Sequence, residues 1–345
     1  MIFQELNNDQ RRETINSQQR FRAWQDARNA VAGFKGSMVW NEDKGTDYLV
    51  RSAYDPKSGI RRQKSLGSRS AATEKMKIDF DRGRERARAR LAEAQRFLRR
   101  QADINRALAV GRVPGIGART MRTLDDAGLM GEGIRIVGTN AIFAYEAAAG
   151  VFVEASIMAT DDLDLLFDAR YRLRFASSVS LSERNLMALL RRVDRSFERT
   201  PRTFSVVNRD GFIVDFIKPM PDPPWTSDRE QIGASGSEDL TAVAIEGLRW
   251  LENSPPFEAT AIDERGMPLR IVAPDPRAFA IHKFWLSTQP SRSPLKRHRD
   301  RAQAETVAQL VARYLTFLDY DHRELSALPK ELFDRAKPLF DRDLA

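Results

Sequence analysis

The sequence predicts an α+β protein. Strands and helices alternate through the middle of the chain, the texture of an α/β or α+β domain, preceded by a small β meander plus a long helix and followed by a mostly helical region. Three observations carry that expectation. Between Ser37 and Leu66, short strand-like segments are separated by the turn-forming strings NEDKGTD and YDPKSGI. From Ser70 to about Val110 no proline interrupts a stretch whose apolar residues recur at steps of mainly three and four. After Gly131, apolar runs alternate with helical segments.

At 345 residues the chain is longer than one typical domain, and several units are expected. They are a helical arm over 1–36, the meander over 37–69, a long basic helix and linker over 70–130, a core over 131–235, and a hairpin and helical region over 236–345. With 42% hydrophobic and 30% charged residues, the chain can bury a core and is not mainly disordered. It contains no cysteine, which excludes disulfides, thiolate-bound zinc, iron–sulfur clusters and thiol catalysis. Three histidines leave little for a His-rich metal site. The first residues, MIFQELNNDQRRETINSQQR, lack the apolar run of a signal peptide. The longest nearly apolar stretch, Ala141 to Val153, is 13 residues and falls short of the roughly 20 needed to span a bilayer. A cytoplasmic protein with no membrane partner is expected.

The elements follow in order. Residues 8–33 read as a docking helix with Phe21, Trp24, Ala27 and Val31 on one face. Ser37–Trp40, Tyr48–Ala53 and Arg61–Leu66 form the meander. Ser70 caps a helix of about 40 residues whose apolar stripe is Met76, Phe80, Gly83, Ala87, Leu91, Ala94, Leu98 and Ile104. Its other face is the run DRGRERARAR, so the helix suits a strut, a homodimer seam or a rod facing nucleic acid. The string VPGIG that follows reads first as a Pro/Gly linker and second as a helix-hairpin-helix turn. Ile134–Val137, Leu163–Phe167, Thr203–Val207 and Phe212–Ile217 are strands, with helices over Thr139–Ala149 and Ser182–Phe197. Asn208-Arg209-Asp210-Gly211 is a hairpin turn, and MPDPPW ends the strand after it. A second hairpin pairs Phe257–Ile262 with Pro268–Val272. Helices over Asp275–Ser287 and Pro294–Leu318 and one from Pro329 complete the chain.

The formal charge of +8 is concentrated: residues 51–135 hold 21 Lys/Arg against 10 Asp/Glu, or +11. Such a region favours phosphate-bearing partners, and equally suits the solvated face of a helix.

Three pieces of the central region carry chemistry. Gly138 and Thr139 lie where a buried strand meets a helix, a junction suited to phosphate. Asp162 and Asp164 in DLDL share one face of a strand, because side chains alternate with period two. Asp215 sits inside the apolar strand GFIVDFIKP, where an unpaired carboxylate is costly. If the three acids converge, a divalent metal is the economical explanation. All-oxygen ligands suit Mg²⁺ or Mn²⁺, and with a phosphate-binding turn they imply phosphoryl chemistry.

Val137-Gly138-Thr139, Asp162-Leu163-Asp164-Leu165 and Val214-Asp215-Phe216 together resemble, in order and separation, the nucleotidyltransferase superfamily typified by DNA polymerase β. With TNAIFAYEAAAGV, PDPRAFAIHKFWLS and KRHRDRAQA, the chain is similar over most of its length to a bacterial branch of nucleotidyltransferase-fold proteins. The resemblance implies that 131–235 is a catalytic core of the α+β kind, a mixed sheet flanked by helices. There a hydroxyl attacks the α-phosphate of a nucleoside triphosphate and pyrophosphate leaves. It implies Asp162 and Asp164 as ligands of both metals, and Asp215 as ligand on the attacking side that helps the hydroxyl lose its proton. Gly138 and Thr139 would contact the β- and γ-phosphates. Lys218 and Lys283 would lie near the triphosphate, with Arg292 and Lys296 as weaker candidates. Thr139 departs from the Ser that many members carry, but keeps the hydroxyl.

Other readings accompany these. His282 packs on its helix, Asp300 pairs with its Arg neighbours at helix spacing, and Trp225, Trp250 and Trp285 are core or interface residues. The sequence leaves the acceptor open, with RNA, DNA and protein as candidates. The alternative function is a catalytically silent nucleotidyltransferase-fold protein that binds nucleic acid or a protein partner through its basic N-terminal region.

Overall fold

The computed structural model describes residues 2–55, 60–168, 186–202, 204–221, 223, 231–232 and 240–341. Asn7 opens helix α1 (Asn8–Ala32): its side chain accepts the Gln10 N–H and the Gln10 side chain accepts the Asn7 N–H. The strand before it, β1 (Phe3–Glu5), pairs antiparallel with Val151–Val153 and so ties the N-terminus to the middle of the chain. The meander β2 (Ser37–Asp43), β3 (Thr46–Asp55) and β4 (Ile60–Ser68) is antiparallel in the order β2-β3-β4.

Ser70 caps α2 (Ala71–Ala107) in the same reciprocal way with Thr73. At 37 residues α2 is about 55 Å long. Its apolar stripe is largely covered within the chain. Phe80, Ala87, Leu98 and Ala102 are buried, and the Phe34 ring lies so close over Gly83 that a Cβ there would stand 2.7 Å from it. Met76, expected on that stripe, is 50% exposed instead. Polar groups fix where α1 and α2 meet the rest. Buried Asn105 donates to the Gly266 carbonyl (2.8 Å), while its own carbonyl accepts from Ser17 (3.0 Å) and Gln101 (3.0 Å).

The VPGIG string is a linker that enters α3 (Gly115–Asp126). Arg112 and Val113 N–H groups donate to the Ile262 carbonyl (2.9 and 3.2 Å), and the Glu264 N–H donates to the Val113 carbonyl (3.0 Å). The Glu264 carboxylate lies against Gly115 in the first turn of α3, where a helix-hairpin-helix turn would need room for phosphate. A carboxylate beside this turn repels phosphate, which favours the linker reading.

The central sheet is mixed. β5 (Ile134–Val137) lies antiparallel to β7 (Asp162–Phe167), which lies parallel to β10 (Ile213–Pro219). β9 (Ser205–Val207) is antiparallel to β10, β8 (Glu198–Arg199) is antiparallel to β9, and β13 (Val243–Ile245) runs parallel to the far end of β10. Between β5 and β7 come a 3-10 turn (Gly138–Ala141), α4 (Ile142–Ala149), β6 (Val151–Val153) and α5 (Ala155–Met158). The helix expected over Ser182–Phe197 is α6 (Leu186–Val193), with residues 182–185 outside the described residues. Thr203, Trp225 and part of MPDPPW lie outside them too. Asn208 closes its turn by accepting the Asp210 and Phe212 N–H groups on its side chain.

Short strands β11 (Gln231–Ile232) and β12 (Leu240–Thr241) pair with each other, and α7 (Leu248–Asn253) follows β13. The hairpin β14 (Pro256–Ile262) and β15 (Pro268–Pro274) leads into α8 (Pro276–Thr288), α9 (Pro294–Tyr314) and α10 (Lys330–Ala336). Leu163, Leu165, Val214 and Phe216 pack into the same core as Phe279, Ala304 and Val307 of α8 and α9. The architecture is the α+β one expected, a mixed sheet flanked by helices. Among the described residues no helix is long and apolar enough to cross a membrane.

Candidate active site

Strand register brings the acids together. In the parallel pair β7–β10, Asp164 stands opposite Asp215, and Asp162 lies two residues along on the same face of β7. Their neighbours Leu163, Leu165, Val214 and Phe216 turn the other way into the core. On the other side of β7, Asp164 pairs with Val137 of β5, so the chain turns at Gly138 directly beside it. Gly138 has φ +62°, and a Cβ there would overlap the Asp164 carboxylate. Asn140, in the same turn, donates to the Asp162 carbonyl (2.7 Å) and fixes the turn to β7.

These groups floor a cavity of about 350 Å³. One wall is apolar, from Phe204, Ile217, Val243 and Ile245; the other is basic, from Lys283, Arg292, Lys296 and Arg299. Burial, then the charge of Asp162 and, more weakly, Asp215, push the Asp164 carboxyl up to about 6 against the pull of Lys283. Burial also raises Asp215, although the Ser205 hydroxyl donates to its carboxylate. Asp162 accepts from the Thr160 hydroxyl.

Thr139 is 5% exposed at the cavity, and its hydroxyl oxygen accepts from Arg299 (2.8 Å) and Gln303 (3.0 Å). With both lone pairs taken, its proton is left to donate. Asp300 accepts from Lys283 Nζ (2.8 Å) and Arg292 Nε (2.7 Å). Burial alone would raise Asp300, but these two cations hold its carboxyl below the usual range.

The donor set suits a hard divalent cation in kind: carboxylate oxygens only, with charges that repel one another. As the side chains stand, however, no three acids among the described residues are grouped closely enough to enclose an ion.

The structure thus gathers Gly138, Thr139, Asp162, Asp164, Asp215 and Lys283 at one cavity, with Arg292 and Lys296. Lys218 does not line it. Asp215 and Ile217 face the cavity, so alternation along β10 turns Lys218 to the opposite face, where it is buried. Asp300 pairs with Lys283 and Arg292 rather than with its helical Arg neighbours. His282 packs against Trp250 and Trp285, which also touch each other, as expected of a core residue. Arg299, Gln303 and Phe204 escaped sequence reasoning. The spacing of Lys296, Arg299, Asp300 and Gln303 marks one face of α9 and was the available signal for two of them.

A family model described as nucleotidyltransferase matches residues 117–329, well over half of the chain. The chain belongs to that nucleotidyltransferase family. No curated protein and no solved structure matches it. The part that matches the nucleotidyltransferase model runs from within α3 to just before α10 and contains every residue of the cavity. The meander and α2 lie outside it.

Proposed function

We propose that this nucleotidyltransferase transfers a nucleoside monophosphate from a nucleoside triphosphate to a hydroxyl acceptor, and that its active site is the cavity on β7 and β10, of the polymerase β-like kind. The observation that supports this best is the placing of Asp164 beside Asp215, with Gly138 against it and four cations lining the same cavity. The acceptor oxygen bonds the α-phosphorus as the α-phosphorus–oxygen bond to the β-phosphate breaks. The hydroxyl proton passes to Asp215, whose carboxyl burial raises, and the charge leaves on pyrophosphate. Thr139 donates its hydroxyl proton to the β- or γ-phosphate beside the Gly138 backbone. Lys283, Arg292, Lys296 and Arg299 draw the pyrophosphate charge to their side of the cavity. Mg²⁺ or Mn²⁺ would supply Lewis-acid activation of the phosphate, and Asp162, Asp164 and Asp215 would hold it by drawing closer together than they stand here. Lys218 has no part in this scheme. The catalytic unit extends beyond 131–235, because α8 and α9 furnish the basic wall.

The test is binding of labelled ATP, GTP, CTP and UTP with Mg²⁺ or Mn²⁺, comparing wild type with the double variant Asp162→Ala/Asp164→Ala. Metal-dependent binding that the double variant loses supports the reading. No binding to any nucleotide sinks it.

A second reading, nucleic-acid binding through the N-terminal region, draws on α2. Arg82, Arg86, Arg90 and Arg100 are exposed at spacings that place them on one face, and none makes an ion pair among the described residues. Like charges at i and i+4 repel, a cost that a polyanion would relieve. Such binding weakens steeply with salt and survives loss of Asp162 and Asp164. Binding of RNA and DNA oligonucleotides that is insensitive to salt, or unchanged in Arg82→Glu/Arg86→Glu/Arg90→Glu, rules it out.

A further inference from the structure

Asp300 is 2% exposed, yet both of its carboxylate oxygens are engaged by cations that come from different parts of the chain. Lys283 arrives from α8, Arg292 from the turn between α8 and α9, and Asp300 itself from α9. All three line the cavity. Lys283 is 9% exposed, and an ammonium so buried is costly unless it is paired, as it is here with Asp300. One cation would neutralise Asp300; two leave an excess positive charge in the wall. The contacts also spare donors. Lys283 uses one of its three N–H groups on Asp300, and Arg292 uses its Nε–H while its four terminal N–H groups make no hydrogen bond among the described residues.

We propose that Asp300 is a positioning residue that aims Lys283 and Arg292 at the β- and γ-phosphates of the nucleotide, an inference that rests on the nucleotidyltransferase reading above. It touches no substrate. Its two oxygens fix the direction of each cation, and it holds Lys283 away from Asp164, the other anion that attracts it. Loss of Asp300 frees Lys283 to pair with Asp164, which withdraws a cation from the phosphates and a carboxylate from the acid cluster. The same helix contributes Arg299 and Gln303 to Thr139, so α9 orders both sides of the phosphate end from one face.

Inorganic pyrophosphate, ATP and AMP are the probes, titrated by calorimetry with Mg²⁺ into wild type and Asp300→Asn, with the fold of each verified by circular dichroism. Asp300→Asn should bind pyrophosphate and ATP about tenfold more weakly, the scale of one charge-assisted hydrogen bond. Its affinity for AMP should stay within about twofold, because AMP lacks the phosphates these cations serve. Unchanged binding of pyrophosphate and ATP overturns the proposal, and so does an equal loss for all three ligands, which marks a merely structural role. Arg292→Lys keeps the charge and the Asp300–Lys283 pair, and decides the matter if Asp300→Asn does not fold. It should weaken pyrophosphate binding several-fold, whereas wild-type affinity in that variant overturns the geometric claim. A wild type that binds none of the three ligands refutes the parent reading instead.

Discussion

Gly138 and Asp164 share one space: the carboxylate of Asp164 lies where a side chain at position 138 would begin. The turn into the 3-10 segment needs φ +62°, and the acid needs the room, so glycine is required twice over. Gly138→Ala should therefore displace Asp164 and lower nucleotidyl transfer by about 100-fold or more. Gly211→Ala is the control, since Gly211 also has positive φ (84°) but has nothing near its missing Cβ. It should cost about 1 kcal/mol of stability and leave activity near wild type. Equal activity in the two variants would contradict the role given to the Gly138–Asp164 contact.

Thr139 should act as a donor. Arg299 and Gln303 occupy its oxygen, so Thr139→Ser should keep the nucleotide KM within about twofold, while Thr139→Val should raise it about tenfold. Steady-state kinetics across a nucleotide titration separates the two. A Val variant with unchanged KM would show that the hydroxyl serves only to anchor α9.

The acids were legible in the sequence because strand periodicity is local: DLDL and IVDFI declare which side chains share a face before any partner strand is known. That Asp164 stands opposite Asp215 was not legible, since it depends on the register of two strands about 50 residues apart. The same periodicity separates Lys218 from Asp215, three positions being an odd step, and that signal was available. The basic wall is a tertiary product. Lys283, Arg292 and Asp300 meet only because α8 and α9 fold back on one another, and no local pattern announces it. Likewise the second reading of VPGIG, a phosphate turn, could not be weighed from local sequence, because Glu264, which lies against Gly115, is 149 positions on.

Stability should carry two opposing pH dependences. Burial, partly offset by Arg112 (3.0 Å) and the Val153 N–H, pushes Glu146 up to about 7. Folded protein then holds this proton more tightly than unfolded chain. Its contribution is full below about 4.5 and is lost as pH rises to about 7. Among the described residues His282 has no hydrogen-bond partner on either ring nitrogen, and burial, then the charge of Lys283, push it down to about 3. Its contribution is full above about 6.5 and is lost as pH falls toward 3. Each group has a limiting slope of about 1.4 kcal/mol per pH unit. Relative to wild type, Glu146→Gln should gain stability as pH rises from about 4.5 to 7, and His282→Leu should gain it as pH falls from about 6.5 to 3. Denaturant midpoints over a pH series test both signs, and parallel curves would contradict them.

Asn105 joins α1, α2 and the β14–β15 turn through three buried hydrogen bonds. Asn105→Ala strands the Gly266 carbonyl, removes one bond each from Ser17 and Gln101, which keep Glu13, and should cost about 1–3 kcal/mol. Equilibrium denaturation measures this, and a loss below about 0.5 kcal/mol would show that the apolar contacts alone hold α2 in place.

The central claim is that the bond broken lies between the α- and β-phosphates. Its most direct measurement follows γ-labelled nucleoside triphosphate with Mg²⁺ or Mn²⁺ in the presence of RNA, DNA and protein acceptors, and identifies the labelled product. Labelled pyrophosphate, formed by wild type and absent with Asp164→Asn, is the result expected. Labelled orthophosphate, label transferred to an acceptor, or equal yield from the variant would contradict it.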